Sequence, residues 1–549
     1  MVSGKEKLAV AVQFLNAGNI ESGKSLLIEL TLDAKVAEQA LTLLFKIAMK
    51  QNNINQAKYY CLQLINSCSS KFDYVYTLVQ LYLSDNEYNL AISALESYLA
   101  LFPNHDRARL ELGVLAKKAN HKELAKKHLL AVTNSSLENK YTALTELATV
   151  YSELYQDHKS AVNCLKEVIE AEPSNIQAHF NLANIFEQQG AKQKAKFAFY
   201  SVLSIDPKHS LALARLADLD TFDEVSALAY EQRSLELLKK ETNDVLCADL
   251  HYALGKVFND IKNYSKAWGY YTKANSFNQK YLPKYDRNAI DQVTEHTLNR
   301  SHCMHQAPAS EQLTPIIICG MFRSGSTLIE QILNSCCDVS AGGEITYLHS
   351  QLFNLVGSKN DFLHKVKSCE FSKGYHSELA LRAKNTSLVT DKRPENYLYI
   401  DVIKSLYPNA KIIWTERDIR DNSLSAYFQH LGPNLNYATD LNDTIHHYEH
   451  QQIIKKHWQR YFDKDIFTLE YDQLVVSPTA TLQTLFNFLG LAYQGEADTF
   501  HQQKNYVSTA SVWQVRKPLY NTSSGRYLNY LPFIVECIEN GEYKDLLKS

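Results

Sequence analysis

The stretch Pro315-Ile-Ile-Ile-Cys-Gly-Met-Phe-Arg-Ser-Gly-Ser-Thr-Leu-Ile-Glu-Gln-Ile-Leu333 decides the fold of the carboxyl-terminal half of this 549-residue chain. Its first residues predict a short buried strand, Gly320 to Ser326 predict a tight turn, and the residues from Thr327 onward predict a helix with an apolar face. A strand that enters a helix through a glycine-containing loop presents backbone N–H groups and the positive end of the helix dipole to an anion. The sequence therefore predicts a phosphate-binding loop.

The chemistry of this loop depends on where its cation lies. Gly320 and Gly325 have the spacing of a Walker A loop, but Ser326 follows the second glycine, where such a loop has lysine. The cation is Arg323, inside the loop, and this disfavours an ordinary nucleoside triphosphatase. The loop resembles the 5′-phosphosulfate-binding loop of sulfotransferases, which use 3′-phosphoadenosine 5′-phosphosulfate (PAPS). That resemblance implies PAPS contacts by Arg323, Ser324, Gly325, Ser326 and Thr327.

Strand patterns alternate with helical patterns from Thr314 to the end of the chain. We predict strands at residues 315–319, 387–390, 410–415 and 466–469, and a helix at 478–489. This alternation predicts an α/β domain with a central parallel sheet, whose ligands bind beyond the carboxyl ends of the strands.

A second phosphate signature follows the third predicted strand. Arg417 lies at its end and Ser425 lies eight residues later, as in the sulfotransferase segment that binds the 3′-phosphate of PAPS. A guanidinium suits a terminal phosphate because its N–H groups bind two oxygens at once. The alternative is a solvated ion-pair cluster of Arg417, Asp418, Arg420 and Asp421, and this is the favoured interpretation for Arg420 but not for Arg417.

A candidate general base follows the helix of the loop. Glu344 ends the run Ala341-Gly-Gly-Glu344 and resembles the Gly-Glu of tyrosylprotein sulfotransferases and their bacterial relatives, whose carboxylate serves as the base. A hydroxyl nucleophile must lose its proton as it attacks sulfur, so such a group is required. The alternatives are that this glutamate caps a helix and that a histidine is the base.

Further site residues are implied by the same resemblance. Lys392, which follows a predicted strand, and Ser511, in a late Ser-x-x-Gln-x-x-Lys-Pro segment, match family residues that stabilise the departing phosphosulfate. Arg526 matches a basic residue that contacts the 3′-phosphate, and Tyr471 matches a tyrosine near the adenosine. The catalytic set is thus Glu344, Arg323, Lys392 and Ser511, acting in-line.

We expect no metal in this mechanism, since the basic side chains suffice for a sulfuryl group. His446, His447 and His450 have a helical spacing that a metal site also uses, but a helix face with titrating histidines is the favoured interpretation.

The amino-terminal half contains a repeat with a period near 34 residues. Small residues recur in register, at Gly23, Ala57, Ala91, Ala125, Ala161, Ala195 and Ala267. This period is typical of tetratricopeptide repeats, whose helical hairpins bury their apolar faces only against each other. The longer step before Ala161 indicates an extended turn near residues 153–158. We therefore predict an α-helical tetratricopeptide solenoid at 1–285, a linker at 286–312 and a P-loop-like sulfotransferase domain at 313–549.

Composition restricts the remaining possibilities. The net charge of −3 gives no support to a nucleic-acid partner, and neither a signal peptide nor a membrane span is predicted. Ten scattered cysteines without a Cys-x-x-Cys motif favour a cytoplasmic location.

The favoured function is transfer of a sulfuryl group from PAPS to an acceptor hydroxyl, with adenosine 3′,5′-bisphosphate as the second product. The acceptor is a protein tyrosine, a glycan or a small molecule, and the repeats favour a peptide or protein. The alternatives are a repeat scaffold with a nucleotide-binding domain that does not turn over, and a P-loop-type kinase.

Overall fold

The computed structural model describes residues 3–68, 70–135, 138–300, 313–336, 338–355, 358–383, 386–495, 499–502 and 512–539. These residues form two compact units, 1–185 and 186–549. The division falls within the predicted repeat array, so the predicted domain boundaries at 285 and 313 stay predictions.

The described residues of the amino-terminal half form a series of helices, as the periodicity predicts. They are α1 Gly4–Asn16, α2 Ile20–Leu30, α3 Ala37–Lys50, α4 Ile54–Ser67, α5 Phe72–Ser84, α6 Tyr88–Leu101, α7 Asp106–Lys118, α8 Lys122–Ser135, α9 Lys140–Thr149, α10 His158–Ala171, α11 Ile176–Gln188, α12 Lys192–Ile205, α13 Ser210–Leu219, α14 Glu224–Leu238, α15 Asp244–Asp260 and α16 Tyr264–Tyr281. Helical hairpins continue through residues 218–246, where the sequence periodicity fades.

The small residues in register are the closest-packed positions of these hairpins. Each of the six alanines in the series is fully buried, and Gly23 is buried as well. A larger side chain at such a position would separate the two helices of a hairpin, which explains the recurrence of small residues. The longer step before Ala161 has a structural cause in a single π-helical turn, Val150–Leu154, that follows α9.

The predicted linker contains a helix, α17, at Arg287–Asn299. It packs on the carboxyl-terminal domain largely through polar groups, since its buried residues are Thr294 and Thr297. At its end Arg300 donates hydrogen bonds from Nε and Nη2 to the buried carboxylate of Asp401, at 3.1 and 2.8 Å. The near absence of buried apolar residues explains why the sequence gives no helical core pattern here.

A five-stranded parallel sheet forms the centre of the carboxyl-terminal domain, which confirms the predicted α/β class. Its strands are β1 Thr314–Gly320, β2 Val339–Ser340, β3 Leu388–Asp391, β4 Lys411–Glu416 and β5 Ile466–Glu470. The order in the sheet is β2-β3-β1-β4-β5, and every neighbouring pair is parallel. Four strands match predicted ones within about a residue at each end. The two-residue β2 is too short to leave a pattern in the sequence.

Helices cover both faces of the sheet because alternate strand residues point to opposite sides. Ile317 and Trp414 belong to one buried cluster, and Ile316 and Ile413 belong to the other. Among the described residues, none of the helices is both long and apolar enough to cross a membrane. The helices of this domain that follow β1 are α18 Ser326–Leu333, α19 Tyr347–Leu352, α20 Lys359–Val366, α21 Cys369–Arg382, α22 Ile400–Leu406, α23 Ile419–Tyr427, α24 Leu441–Phe462, α25 Tyr471–Val476, α26 Pro478–Leu489 and α27 Leu531–Glu539.

Candidate active site

The loop between β1 and α18 is held in shape by its own polar groups. Ser324 is 1% exposed, and its hydroxyl lies 2.6 Å from both the Met321 carbonyl and the Thr415 hydroxyl. Gly325, the residue before α18, has a φ of 100°, and a Cβ there would lie 2.8 Å from the Tyr471 ring. Only glycine meets both conditions without strain. The loop leads directly into α18, and, as in any α-helix, the backbone N–H groups of the first turn have no acceptor within the helix.

Arg323 extends from this loop towards the end of β4 and the helix after it. Its backbone has a φ of 71°, a left-handed conformation that is uncommon for a residue with a side chain. Its Nε donates to Ser425 Oγ at 3.1 Å, and its Nη2 donates to Gln514 Oε1 at 2.7 Å. Burial, and then the positive charge of Arg417, lowers the pKa of the Arg323 guanidinium to about 10. The guanidinium groups of Arg323 and Arg417 thus lie close enough to repel each other.

Arg417 lies at the end of β4, as predicted, and only some of its guanidinium N–H groups have hydrogen-bond acceptors among the described residues. Its Nη2 donates to the Ser523 carbonyl at 2.5 Å, and its guanidinium lies 4.9 Å from the centre of the Tyr471 ring. Its Nε is buried and has no hydrogen-bond partner within the described part of the chain. A buried N–H group without a partner is costly and indicates a site for an acceptor atom.

Arg526 approaches the same place from the last described segment of the chain. Asp421 on α23 accepts hydrogen bonds from the backbone N–H groups of Gly525, at 2.6 Å, and Tyr527, at 2.8 Å. Arg526 is the residue between these two in the chain. Its Nη2 donates to Asn259 Oδ1 at 2.8 Å, and its guanidinium lies over the Phe428 ring. Asp421 therefore has a positioning role that the sequence analysis did not assign to it.

One cavity brings most of the predicted site residues together. Four basic side chains and a single carboxylate are among the residues that line it. Such a lining favours a ligand that carries several negative charges. The lining residues relevant here are Arg323, Gly325, Ser326, Thr327, Glu344, Arg417, Ser425, Tyr471, Gln514, Lys517, Ser523 and Arg526.

Glu344 and Lys392 form an ion pair at the edge of this cavity. Lys392 Nζ donates to Glu344 Oε1 at 2.6 Å. The lysine side chain is 2% exposed, whereas that of the glutamate is 40% exposed. The predicted base is therefore accessible, and the predicted leaving-group cation lies buried behind it.

A second glutamate, Glu330 on α18, ties together the two turns that carry this pair. Its Oε1 accepts from the backbone N–H of Gly343 at 2.9 Å and from the Thr390 hydroxyl at 2.7 Å. The backbone N–H of Lys392 in turn donates to the Gly343 carbonyl at 2.9 Å. Burial raises the pKa of Glu330, and the charge of Lys392 opposes that rise. Its only sequence signal is that it is the single charged residue of this helix.

The remaining sequence-based assignments differ in outcome. Ser324 is buried within the loop by its contacts there, while Ser326 and Thr327 line the cavity. Arg420 donates to both carboxylate oxygens of Asp418, at 3.0 and 2.6 Å, as the ion-pair alternative predicts. Ser511 lies outside the described residues, although Gln514 and Lys517 of the same segment line the cavity.

Comparison with known proteins finds a family match in each half of the chain. Residues 315–495 match the sulfotransferase family, and residues 76–125 and 156–210 match the tetratricopeptide repeat. An uncharacterized protein of Aquifex aeolicus (strain VF5) is 26% identical over 477 residues, which are 80% of this chain and 60% of that protein. This chain thus matches less than two thirds of the length of that relative.

Two further matches cover smaller parts of the chain. A putative protein-tyrosine sulfotransferase of Caenorhabditis briggsae is 29% identical over 205 residues, 35% of this chain and 70% of the relative. A solved tetratricopeptide repeat protein from Parabacteroides merdae ATCC 43184 is 14% identical, covers 46% of this chain and 96% of its own, and has a TM-score of 0.34. The family matches place tetratricopeptide repeats before a sulfotransferase-family domain, as the sequence analysis predicts.

Proposed function

We propose that this protein transfers a sulfuryl group from PAPS to an acceptor hydroxyl, with Glu344 as the general base. The observation that carries the proposal is the convergence of Arg323, Arg417 and Arg526 on the cavity that Glu344 also lines. Guanidinium groups repel each other unless anions lie between them, and PAPS offers a 5′-phosphosulfate and a 3′-phosphate.

The residues present fit a nucleotide with two anionic ends. The Arg417 Nε has an N–H group to offer, and it lies close enough to Arg323 for their charges to interact. Together with Ser425 and Arg526, Arg417 would hold the 3′-phosphate. Ser326 and Thr327, at the start of α18, would hold the 5′ end with their backbone N–H groups. Tyr471, which packs against Gly325, would border the adenosine.

The different exposure of Glu344 and Lys392 supports different roles for the two side chains. Glu344 is accessible, so it accepts the proton of the acceptor hydroxyl as that oxygen bonds to sulfur. Lys392 is not among the residues that line the cavity, and its ammonium group is held by Glu344, which does line it. In the proposed mechanism this ammonium group stabilises negative charge on the bridging oxygen, which it would reach past the Glu344 carboxylate. PAPS, when bound, supplies the sulfuryl group and leaves as adenosine 3′,5′-bisphosphate. Lys392 then remains beside a glutamate that has gained a proton, and that proton passes to solvent.

A second cavity, of about 500 Å³, supports entry of the acceptor from the side of the repeat helices. Arg323, Ser425 and Arg526 line both cavities, so the two are adjacent. The outer wall of the second cavity includes Arg215 of α13 and Tyr252 of α15. We propose that the acceptor hydroxyl belongs to a peptide or protein, which would use this wall. A tyrosine peptide should then react with a kcat/KM at least tenfold above that of a free tyrosine ester. Equal values would contradict a peptide acceptor.

Calorimetric binding of nucleotides tests the proposal without knowledge of the acceptor. The full chain is titrated with adenosine 3′,5′-bisphosphate, ADP and ATP, each with and without Mg²⁺. We expect the bisphosphate to bind most tightly and its affinity to be independent of Mg²⁺. Preference for ATP with Mg²⁺ would favour a kinase, and absence of nucleotide binding would favour a repeat scaffold. Either outcome would refute the proposal.

A further inference from the structure

A cluster of three potential metal ligands lies between α17 and α24. His446 and His450 are four residues apart on α24 and therefore share one face of that helix. Asp291 of α17 faces them, and one ligand atom from each of the three lies within 4.8 Å of the others. The Nε2 atom of His450 is 3.0 Å from Asp291 Oδ1, and the Nε2 atom of His446 is 3.6 Å from the same oxygen.

These distances match a shared metal ion better than they match two hydrogen bonds. Ligands that are each about 2.0–2.1 Å from a tetrahedral zinc ion lie about 3.3 Å apart, and the two observed separations lie on either side of this value. The 3.6 Å contact of His446 is too long for a hydrogen bond. Asp291 is thus within hydrogen-bond distance of His450 Nε2 but not of His446 Nε2.

The far nitrogen of each ring is held by a hydroxyl group outside the cluster. His446 Nδ1 lies 3.1 Å from the Tyr285 hydroxyl, and His450 Nδ1 lies 2.9 Å from the Thr294 hydroxyl. Such outer contacts fix the ring orientation and leave Nε2 as the ligand atom, as in most histidine–metal sites. The third histidine of the sequence motif, His447, is not part of the arrangement, because its ring stacks on Tyr437 at 4.1 Å.

We propose that Asp291, His446 and His450 bind a divalent transition-metal ion, with zinc as the best fit. Two imidazoles and one carboxylate suit zinc, and a three-residue set leaves the fourth position of the ion to water. The Asp291 side chain is 54% exposed, so the ion has direct access from solvent. The bound ion would join α17 to α24, and this role is independent of sulfuryl transfer. The proposal departs from the expectation that the sequence supported, because the carboxylate ligand lies far away in the chain.

Metal binding to the tag-free full chain, stripped with a chelator, tests this directly. We expect one equivalent of Zn²⁺ to bind with a micromolar or lower Kd, and Co²⁺ to give the visible absorption of a four-coordinate site with nitrogen and oxygen ligands. Absence of saturable Zn²⁺ binding in the wild-type chain would overturn the proposal, and this measurement needs no variant.

Substitutions of the proposed ligands then identify the residues that bind the ion. Asp291→Asn and His446→Gln should each weaken Zn²⁺ binding at least tenfold. Asp443→Asn is the matched control, because Asp443 pairs with Arg287 between the same two helices but is not a ligand. It should leave the Zn²⁺ affinity within threefold of wild type. If the control weakens binding as much as Asp291→Asn, or if neither ligand variant weakens it, the assignment of the ligands is wrong.

Discussion

Replacement of Arg417 by alanine would remove the guanidinium that we assign to the 3′-phosphate of the nucleotide. In the structure this side chain keeps a buried Nε–H group without a partner among the described residues, and it lies beside Arg323. The variant therefore loses one charge-assisted contact to the ligand. It also loses the repulsion between the two arginines, which a bound anion would otherwise relieve.

The expected size of the effect follows from that contact. A hydrogen bond to a charged group contributes about 1.5–3 kcal/mol, which corresponds to a loss of about 10- to 150-fold in affinity. We expect this loss for adenosine 3′,5′-bisphosphate. For adenosine 5′-monophosphate, which lacks the 3′-phosphate, we expect a loss of less than about threefold, because the contact is never made.

The assay is isothermal titration of wild type and variant with both nucleotides, which yields the coupling between Arg417 and the 3′-phosphate. Arg420→Ala is the control, since Arg420 is three residues away but pairs with Asp418 and stacks on Tyr527. It should leave both affinities nearly unchanged. Equal losses for the two nucleotides in Arg417→Ala would refute the assignment of Arg417 to the 3′-phosphate.

Three other predictions concern catalysis and stability. Glu344→Gln should abolish transfer of label from PAPS, because the amide cannot take up the proton of the acceptor hydroxyl. The Kd of the bisphosphate should stay within about threefold of wild type, because the amide oxygen still accepts a hydrogen bond from Lys392. Retained turnover would exclude Glu344 as the base. Arg300→Met should lower the free energy of unfolding in denaturant titrations by about 3–5 kcal/mol, because it leaves the Asp401 carboxylate buried without its partner; a loss below about 1 kcal/mol would contradict this. Burial raises the pKa of Asp391 to about 7. The contribution of its protonated carboxyl to the free energy of unfolding is therefore fully present below about pH 4 and is lost as the pH rises through 7. Asp391→Asn should remove about 4 kcal/mol of that pH dependence between pH 4 and 8, and unchanged curves would show that another group titrates.

The local parts of the fold were predictable because their signals are local. The β-branched run of β1, the tight turn from Gly320 to Ser326 and the small residues of the repeats all act on neighbouring backbone or on the partner helix of one hairpin. Helix α17 and strand β2 were not predicted, because neither has a local signal in the sequence. The helix is held by polar contacts such as that of Arg300, and the strand has only two residues, so neither needs a hydrophobic pattern.

Most of the candidate site could likewise be named in advance, but its contacts could not. Glu344 and Lys392 were both expected from a resemblance, yet nothing in their spacing indicates that they form an ion pair. Glu330 and Asp421 went unassigned because an acidic residue within a helix has no distinctive sequence signal. Their roles appear only once β1, β3 and β4 lie side by side in the sheet.

The sequence by itself determined the order of the two halves, the repeat period, the strand–loop–helix of the phosphate site and the positions of Arg323, Arg417 and Glu344. Only the tertiary structure decided which distant groups meet: Lys392 with Glu344, Asp421 with the backbone that carries Arg526, and Asp291 with the histidines of α24. The physical reason is that helix and strand periodicity record burial, which is a property of one segment. A hydrogen bond or metal site between segments depends on strand order and loop geometry, which hydrophobic periodicity does not encode.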